Sequence, residues 1–343
     1  MDISIVITTV NRANNLMKLL ESLLLQDFPG ASFEVIIVDN GSTDETKEVC
    51  DVFSLKFVNF TYLYDARPGQ LIGWHRGLEI SYGDLCCFID DDVCPDPTWL
   101  LGVNDAYLDT EVGLATGPIR LNYEKTPPDW IDHMIIGEPG SQTLPAFGLL
   151  DCGTSIKEIP GNFVWGTNFT VRKSCLYEVN GFHPGAMPGH LLKFYGDAEV
   201  YVGRSIQNMG RKVLYHPSIS VIHNISEDRL SLRSIKSKFM TTGYSRSFAL
   251  LRQLNKPYDL PSDEEFFDMA LRYFPNPNET PKELIQTLQN GIEYGVTHHL
   301  KSFIEDKNFR KWVLRDNYIN LDECYNHPEL IEEIISGPTD WRS

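Results

Sequence analysis

Basic side chains are in short supply: 30 Lys and Arg stand against 47 Asp and Glu, a formal charge of −17 over 343 residues. Phosphate contact along a nucleic acid needs a basic footprint, so general nucleic-acid binding is excluded. Long apolar runs are missing too, and none approaches the roughly 20 residues of a membrane span. The N-terminus passes directly into Ile3-Ser4-Ile5-Val6-Ile7 with no charged lead or signal-type apolar core. The expectation is a soluble cytoplasmic protein, with peripheral contact at the inner face of a membrane left open. The seven cysteines lack any C-x-x-C spacing, which removes the usual zinc framework. Cys86, Cys87, Cys94 and Cys152 lie in or beside apolar runs and read as reduced, mostly buried thiols. No internal repeat or low-complexity tract is present. What remains is an ordinary globular composition, 42% hydrophobic and 11% aromatic, enough for a sizeable core in one large domain with an appendage or in two modest domains.

Periodicity organises the first hundred residues. Ile3 to Thr8 is β-rich, and Asn14 to Gln26 carries Leu16, Leu19, Leu20, Leu23 and Leu24 at amphipathic-helix spacing. Phe33 to Val38 is a second strand, ending in turn chemistry at Asp39-Asn40-Gly41-Ser42-Thr43-Asp44 before a helix near Glu45 to Val49. Thr61 to Tyr64 is a third strand, Leu71 to Ile80 a helix, and Leu85 to Ile89 a fourth strand, nearly continuous in apolar residues. Such runs suit a parallel sheet covered on both faces, and the alternation calls for an α/β, Rossmann-like, doubly wound and mostly parallel sheet. Segment 122–159, rich in Pro and Gly, reads as long loops covering that sheet. Residues 163–172 are strand-like, and Ala198 to Met209 is a helix. Beyond about Ser226 the composition turns helical, over Ser231 to Gln253, Asp263 to Tyr273, Pro281 to Glu293 and a final region through Ile335. The expected division is 1–225 and 226–343.

Three consecutive aspartates, Asp90, Asp91 and Asp92, follow the fourth strand. Like charges in a row repel unless something positive neutralises them, and a divalent cation is the natural candidate. Asp90 and Asp92 fall on the same side of an extended chain and offer hard oxygen ligands suited to Mg²⁺ or Mn²⁺. A solvated turn with an Asp cap is the alternative for a lone triplet. The surroundings favour the site, because Thr8-Thr9 and Asp39-Asn40 also end strands and would converge on the same crevice.

The order of motifs resembles a family 2 inverting glycosyltransferase with the GT-A fold over roughly residues 3–225. The landmarks are Val6-Ile7-Thr8-Thr9-Val10-Asn11-Arg12, Val38-Asp39-Asn40-Gly41-Ser42-Thr43-Asp44, Phe88-Ile89-Asp90-Asp91-Asp92, Gly166-Thr167-Asn168, Gly181-Phe182, Gly196-Asp197-Ala198-Glu199 and His223. The resemblance implies transfer of a sugar from a nucleotide-sugar donor, with UDP-sugar leading, to a glycan or glycolipid hydroxyl. It implies a donor-binding set of Thr8, Thr9, Asn11, Arg12, Asp39, Asn40, Asp90 and Asp91, and a Mn²⁺ or Mg²⁺ ion held by Asp90, Asp92 and His223. A structural imidazole is the alternative for His223. Asp197 is expected as the base that takes the acceptor proton, with Glu199 as fallback; a helix N-cap is the other reading of Asp197. Trp165, Gly166, Thr167 and Asn168 are expected around the transferred sugar or the acceptor, a core tryptophan and a turn asparagine being the alternative.

Two departures from the family pattern stand out. Gly196 occupies the usual glutamate position, and Trp74-His75 stand where many relatives carry Arg-Asn, which makes Arg67 and Arg76 the candidates for phosphate neutralisation. The tail has its own anomaly: from Arg229 to Tyr258 there are seven Lys or Arg and no Asp or Glu. This stretch is a candidate for flanking a diphosphate, binding an anionic or lipid-diphosphate acceptor, or resting on an anionic membrane. A solvated face balancing an acidic body is the alternative. The last helices suit acceptor selection or dimerisation. Two rival functions remain at this stage. A nucleotidyltransferase would want a glycine-rich basic loop after the first strand, where Thr8 to Arg12 has one Arg and no Gly. A non-catalytic nucleotide-sugar-binding scaffold would be indifferent to loss of Asp197.

Overall fold

The computed structural model describes residues 2–28 and 33–336. The chain opens with β1 (Ile3–Thr9), α1 (Ala13–Leu24), β2 (Phe33–Asp39), α2 (Thr46–Ser54), β3 (Phe60–Tyr64), α3 (Gln70–Ile80) and β4 (Leu85–Asp90). It continues through β5 (Val93–Pro95), α4 (Trp99–Ala106), β6 (Val112–Thr116), β7 (Ile119–Tyr123), β8 (Ile136–Glu138), β9 (Ser141–Leu144), β10 (Leu149–Leu150) and β11 (Lys157–Glu158). Then come β12 (Phe169–Arg172), α5 (Lys173–Glu178), α6 (Ala198–Asn208), β13 (Lys212–Tyr215) and β14 (Val221–Ile225). The tail is helical: α7 (Leu232–Leu254), α8 (Asp263–Leu271), α9 (Lys282–Glu305), α10 (Lys307–Val313), α11 (Leu321–Cys324) and α12 (Pro328–Ser336).

The main sheet has the order β11-β13-β6-β12-β4-β1-β2-β3. Its β4, β1, β2 and β3 half is wholly parallel, as the apolar runs require, while β12 enters antiparallel between β4 and β6. Every residue of Leu85–Ile89 is buried because helices cover both faces. The parallel register sets Thr8 against Asp90 and Thr9 against Asp39, so the polar strand ends line one edge of the sheet. Helix α3 lies close over that edge: a Cβ at Gly73 would come within 1.9 Å of Thr8 Oγ1.

The segment 122–159 corrects the loop reading in part. It contributes β8, β9 and β10 to a second sheet with the order β5-β14-β7-β10-β9-β8. These strands are two to four residues long, too short for a period-2 pattern to emerge between Gly and Pro. Residues 163–172 likewise hold a short 3₁₀ turn, Gly166–Asn168, before β12 rather than one continuous strand. The second sheet has a consequence for the site: β14 pairs with β5 so that His223 stands opposite Val93, directly after the aspartate triplet.

In the tail, local chemistry sets the helix ends. Ser231 caps α7 through Ser234 N, Asn255 ends it with φ +54°, and Ser262 with Glu265 forms a capping box on α8. Helix α9 extends well past the Glu293 expected from sequence. Helices α7 and α9 touch backbone to backbone, since a Cβ at Gly243 would approach Ile292 O to 2.3 Å and one at Gly295 would approach Met240 O to 2.2 Å. No helix among the described residues is long and apolar enough to cross a membrane.

Candidate active site

The strand ends open into a cleft of about 430 Å³. Thr8, Thr9, Arg12, Asn40, Asp90, Asp91, Asp92, Trp165, Gly166, Thr167, Glu199 and His223 all line it. Asp91 is the structural member of the triplet: Thr9 Oγ1 donates to it at 2.7 Å and Arg12 Nη1 at 2.6 Å. The same Arg12 nitrogen lies 3.0 Å from Asp92 Oδ2. Asp91, with help from Asp92, raises the guanidinium pKa and keeps it charged. Burial, reinforced by Asp92, pushes the Asp90 carboxyl up to about 6, and Gln70 Nε2 donates to it at 3.1 Å. Asp92 goes the other way. Burial opposes its ionisation, but the guanidinium groups of Arg12 and Arg229 favour the carboxylate and its pKa lies well below the usual carboxylate range.

The residues here fit a divalent cation. His223 Nδ1 is 2.8 Å from the Phe147 carbonyl, which can only accept, so Nδ1 carries a proton, and Nε2 turns its lone pair to the Arg229 guanidinium, which can only donate. That nitrogen is 3.3 Å from Asp92 Oδ1, a buried oxygen that receives no hydrogen bond. A lone-pair imidazole whose other nitrogen is fixed by a carbonyl, beside an unpartnered carboxylate oxygen, is the donor set a Mn²⁺ or Mg²⁺ site requires. Arg229 Nη1 lies 3.0 Å from the same Nε2 and 3.6 Å from Asp92 Oδ2, adding positive charge at the same place. A second group, Asp306, His327 and Glu329, does not fit as well. There His327 Nδ1 accepts from Glu329 N at 3.2 Å, which places the proton on Nε2, and Lys193 already pairs with Glu329.

Asp197 and Glu199 diverge. Ala198, between them, has φ +44°, a left-handed conformation that costs a non-glycine residue roughly 1–2 kcal/mol. Asp197 accepts from His183 Nδ1 at 2.6 Å, and that imidazole stacks on Tyr201 with centroids 3.6 Å apart. Asp197 is not part of the cleft wall, whereas Glu199 is, with Gly166 N donating to its Oε1 at 3.2 Å. Burial raises the Glu199 pKa against those backbone hydrogen bonds.

Other expected residues serve the walls rather than the cleft. Asp39 is buried and accepts from Ser42 N and Tyr62 Oη at 2.8 and 2.7 Å. Asn11, at φ +51°, accepts from Thr43 N and clips the first two βα loops together. Asn168 is wholly buried, accepting from Trp99 Nε1 and donating to Ile219 O. Arg67 and Arg76 are not brought to the aspartates: both pair with Asp65, Arg67 also with Asp322 and Arg76 with Glu79, around a separate cavity beneath α11. The reason lies in His75. Its Nδ1 donates to Tyr318 O at 2.8 Å and its Nε2 accepts from Phe182 N at 2.9 Å, which anchors this face of α3 to the C-terminal segment. Sequence reasoning missed Gln70, Tyr195 and Phe147 as cleft residues, and no periodic or compositional signal marks them. Arg229 and Lys238 also reach the cleft, and the basic stretch was their signal.

A doubly wound sheet with a carboxylate-lined crevice at its strand ends, beside a small mixed sheet, is the GT-A fold. Residues 4–179 match the sequence profile of Glycosyl transferase family 2, and the chain belongs to that family. It is 28% identical over 191 residues to Glycosyltransferase AglE of Haloferax volcanii, a match spanning 55% of this chain and only 57% of the relative. It is 24% identical over 254 residues to Glucosyl-dolichyl phosphate glucuronosyltransferase of the same organism, spanning 72% of this chain and 76% of that one. In structure it resembles the mannosyltransferase PcManGT of Pyrobaculum calidifontis, solved with GDP-Man and Mn²⁺, with TM-score 0.52 and 15% identity over 94% of this chain and 86% of the other.

Proposed function

We propose that the protein is a metal-dependent inverting glycosyltransferase that moves a sugar from a nucleotide sugar, UDP-linked in the first instance, to a hydroxyl of a glycan or glycolipid. The observation that carries this reading is one cleft holding the lone-pair His223 Nε2, the unpartnered Asp92 Oδ1 and the half-buried Glu199 carboxylate. Thr8, Thr9, Asn40 and Arg12 face the donor. Asp90, Asp92 and His223 would hold the cation, which when bound offsets the negative charge growing on the departing diphosphate. Arg12 and Arg229 add fixed positive charge at the same place. Glu199 replaces Asp197 as the proposed base, because Glu199 lines the cleft and Asp197 is engaged by His183. Glu199 takes the acceptor hydroxyl proton, the oxygen bonds to the anomeric carbon from the opposite side, and the C1–O bond to the diphosphate breaks with inversion. Trp165 offers an apolar ring for stacking on a sugar. Cytoplasmic action beside a membrane belongs to the same proposal, and salt-sensitive sedimentation with anionic liposomes tests it.

Calorimetric titration with UDP, GDP, dTDP and CDP, with and without Mn²⁺, is the deciding experiment. Mn²⁺-dependent binding of one nucleotide, lost in Asp92→Ala, is expected. Folded protein that binds none of them would overturn the reading. The GDP arm is included because PcManGT, alike in fold, was solved with GDP-Man.

A further inference from the structure

Helix α7 brings to the cleft a cation that nothing among the described residues neutralises by direct contact. Lys238 lines the cleft and also a second cavity of about 270 Å³ that opens between α7 and segment 186–195. Phe147, Tyr195, Arg229 and Lys238 border both, so the two spaces adjoin at these side chains. The other cleft cations are committed, Arg12 to Asp91 and Asp92, and Arg229 to His223 and Asp92. The Lys238 ammonium has no hydrogen bond or ion pair among the described residues; burial and Arg229 lower its pKa, and Glu199 and Asp90 oppose them through space. A cation so placed has its full donor capacity to offer an anion.

The second cavity has a mixed wall. Its walls include Met187, Leu192 and Ile235, with hydroxyls from Ser234 and Thr241 on the Lys238 face of α7 at i−4 and i+3. A free sugar would be held by polar partners on every side. Apolar side chains and an unpaired cation in one cavity suit a hydrocarbon chain joined to an anionic head. Such an acceptor would lay its chain against Met187, Leu192 and Ile235, its phosphate at Lys238 and its reacting hydroxyl at Glu199 in the first cavity.

We propose that the second cavity is the acceptor site and that its occupant is a sugar linked to a lipid through a phosphate or diphosphate, with Lys238 pairing the phosphate. This rests on the transferase reading above, in which Glu199 takes the proton of the acceptor hydroxyl. Lys238 thereby selects the acceptor and is not required for the donor.

The test is calorimetric titration of the full chain with farnesyl phosphate, held below its micelle concentration, and with glucose 1-phosphate. Both titrations are made on nucleotide-free protein and on protein saturated with the nucleoside diphosphate it binds and Mn²⁺. Farnesyl phosphate is expected to bind in both states, at least tenfold more tightly than glucose 1-phosphate. Lys238→Met should weaken it tenfold or more and Lys238→Arg should recover most of the loss, while nucleotide affinity changes less than twofold and thermal unfolding stays unaltered. The proposal falls if farnesyl phosphate does not bind, if glucose 1-phosphate binds as well, or if Lys238→Met weakens the nucleotide and spares the lipid phosphate. Wild-type protein that binds farnesyl phosphate but no nucleotide would remove the donor reading and leave the lipid-phosphate site standing.

Discussion

Adjacent carboxylates take opposite roles in this cleft because their neighbours differ. Asp91 is occupied by Thr9 and Arg12, whereas Asp92 keeps one buried oxygen without a donor. Asp92→Asn is therefore expected to reduce Mn²⁺ affinity about a hundredfold by calorimetry, with the fold retained by circular dichroism. The pair around Ala198 separates in the same way. Glu199→Gln should lower kcat by about 10² to 10⁴ with nucleotide affinity unchanged, the range general-base removal costs. Asp197→Asn should lower the melting temperature, through its bond to His183, and change kcat less than tenfold. Burial raises the Glu199 pKa, and the base must be ionised to act, so the rate falls as pH drops through a value above the ordinary 4.5. Glu199→Gln should abolish that acid limb. An acid limb unchanged in the variant would pass the role of base back to Asp197. In the sequence the two residues were one motif, and only the left-handed turn at Ala198 decides which carboxylate enters the cleft.

At the scale of elements, α3 shows how a departure from a family pattern becomes structure. Trp74 packs on Phe182 with centroids 4.5 Å apart, and His75 is pinned between Tyr318 and Phe182. Burial lowers the His75 pKa to about 4. A group whose folded pKa lies below its unfolded value of 6.5 stabilises the fold above pH 6.5 and loses that contribution as pH falls toward 4. At about 1.4 kcal/mol per pH unit the full loss is roughly 3 kcal/mol. Denaturant melts between pH 7 and 4 should therefore show a steeper decline for wild type than for His75→Asn, which is less stable at pH 7 but has no proton to take up here. Equal slopes would remove His75 as the titrating anchor. The contact of α7 with α9 offers a second check: Gly295→Val forces a side chain onto Met240 O and should cost roughly 3 kcal/mol, the upper part of the usual overpacking range.

At the scale of the whole molecule, the compositional change near residue 225 does not interrupt the packing. Phe194 meets Phe309 and Trp312, His183 meets Phe248 and Tyr318, and Trp312 Nε1 donates to Phe194 O. The main core accordingly includes Phe248, Phe303, Trp312 and Tyr318 from the tail. A fragment ending at residue 225 is expected to lack a cooperative melt, and the full chain to unfold in one calorimetric transition. Two resolved transitions, or a folded fragment, would show that the tail is separable. The tail also supplies Arg229 and Lys238 to the cleft, so it is part of the site in space.

The strand and helix order of the first ninety residues, the aspartates at the end of β4 and the helix starts at Ser231 and near Asp263 were legible in the chain, because period, caps and turn residues act between near neighbours. The pairing of β14 with β5 that sets His223 beside Asp92, the short strands of the second sheet, the turning of Glu199 toward the cleft and the arrival of Lys238 were decided by tertiary structure. Those contacts join residues far apart in the chain or depend on one strained dihedral. No local pattern encodes them until the sheets and helices have packed.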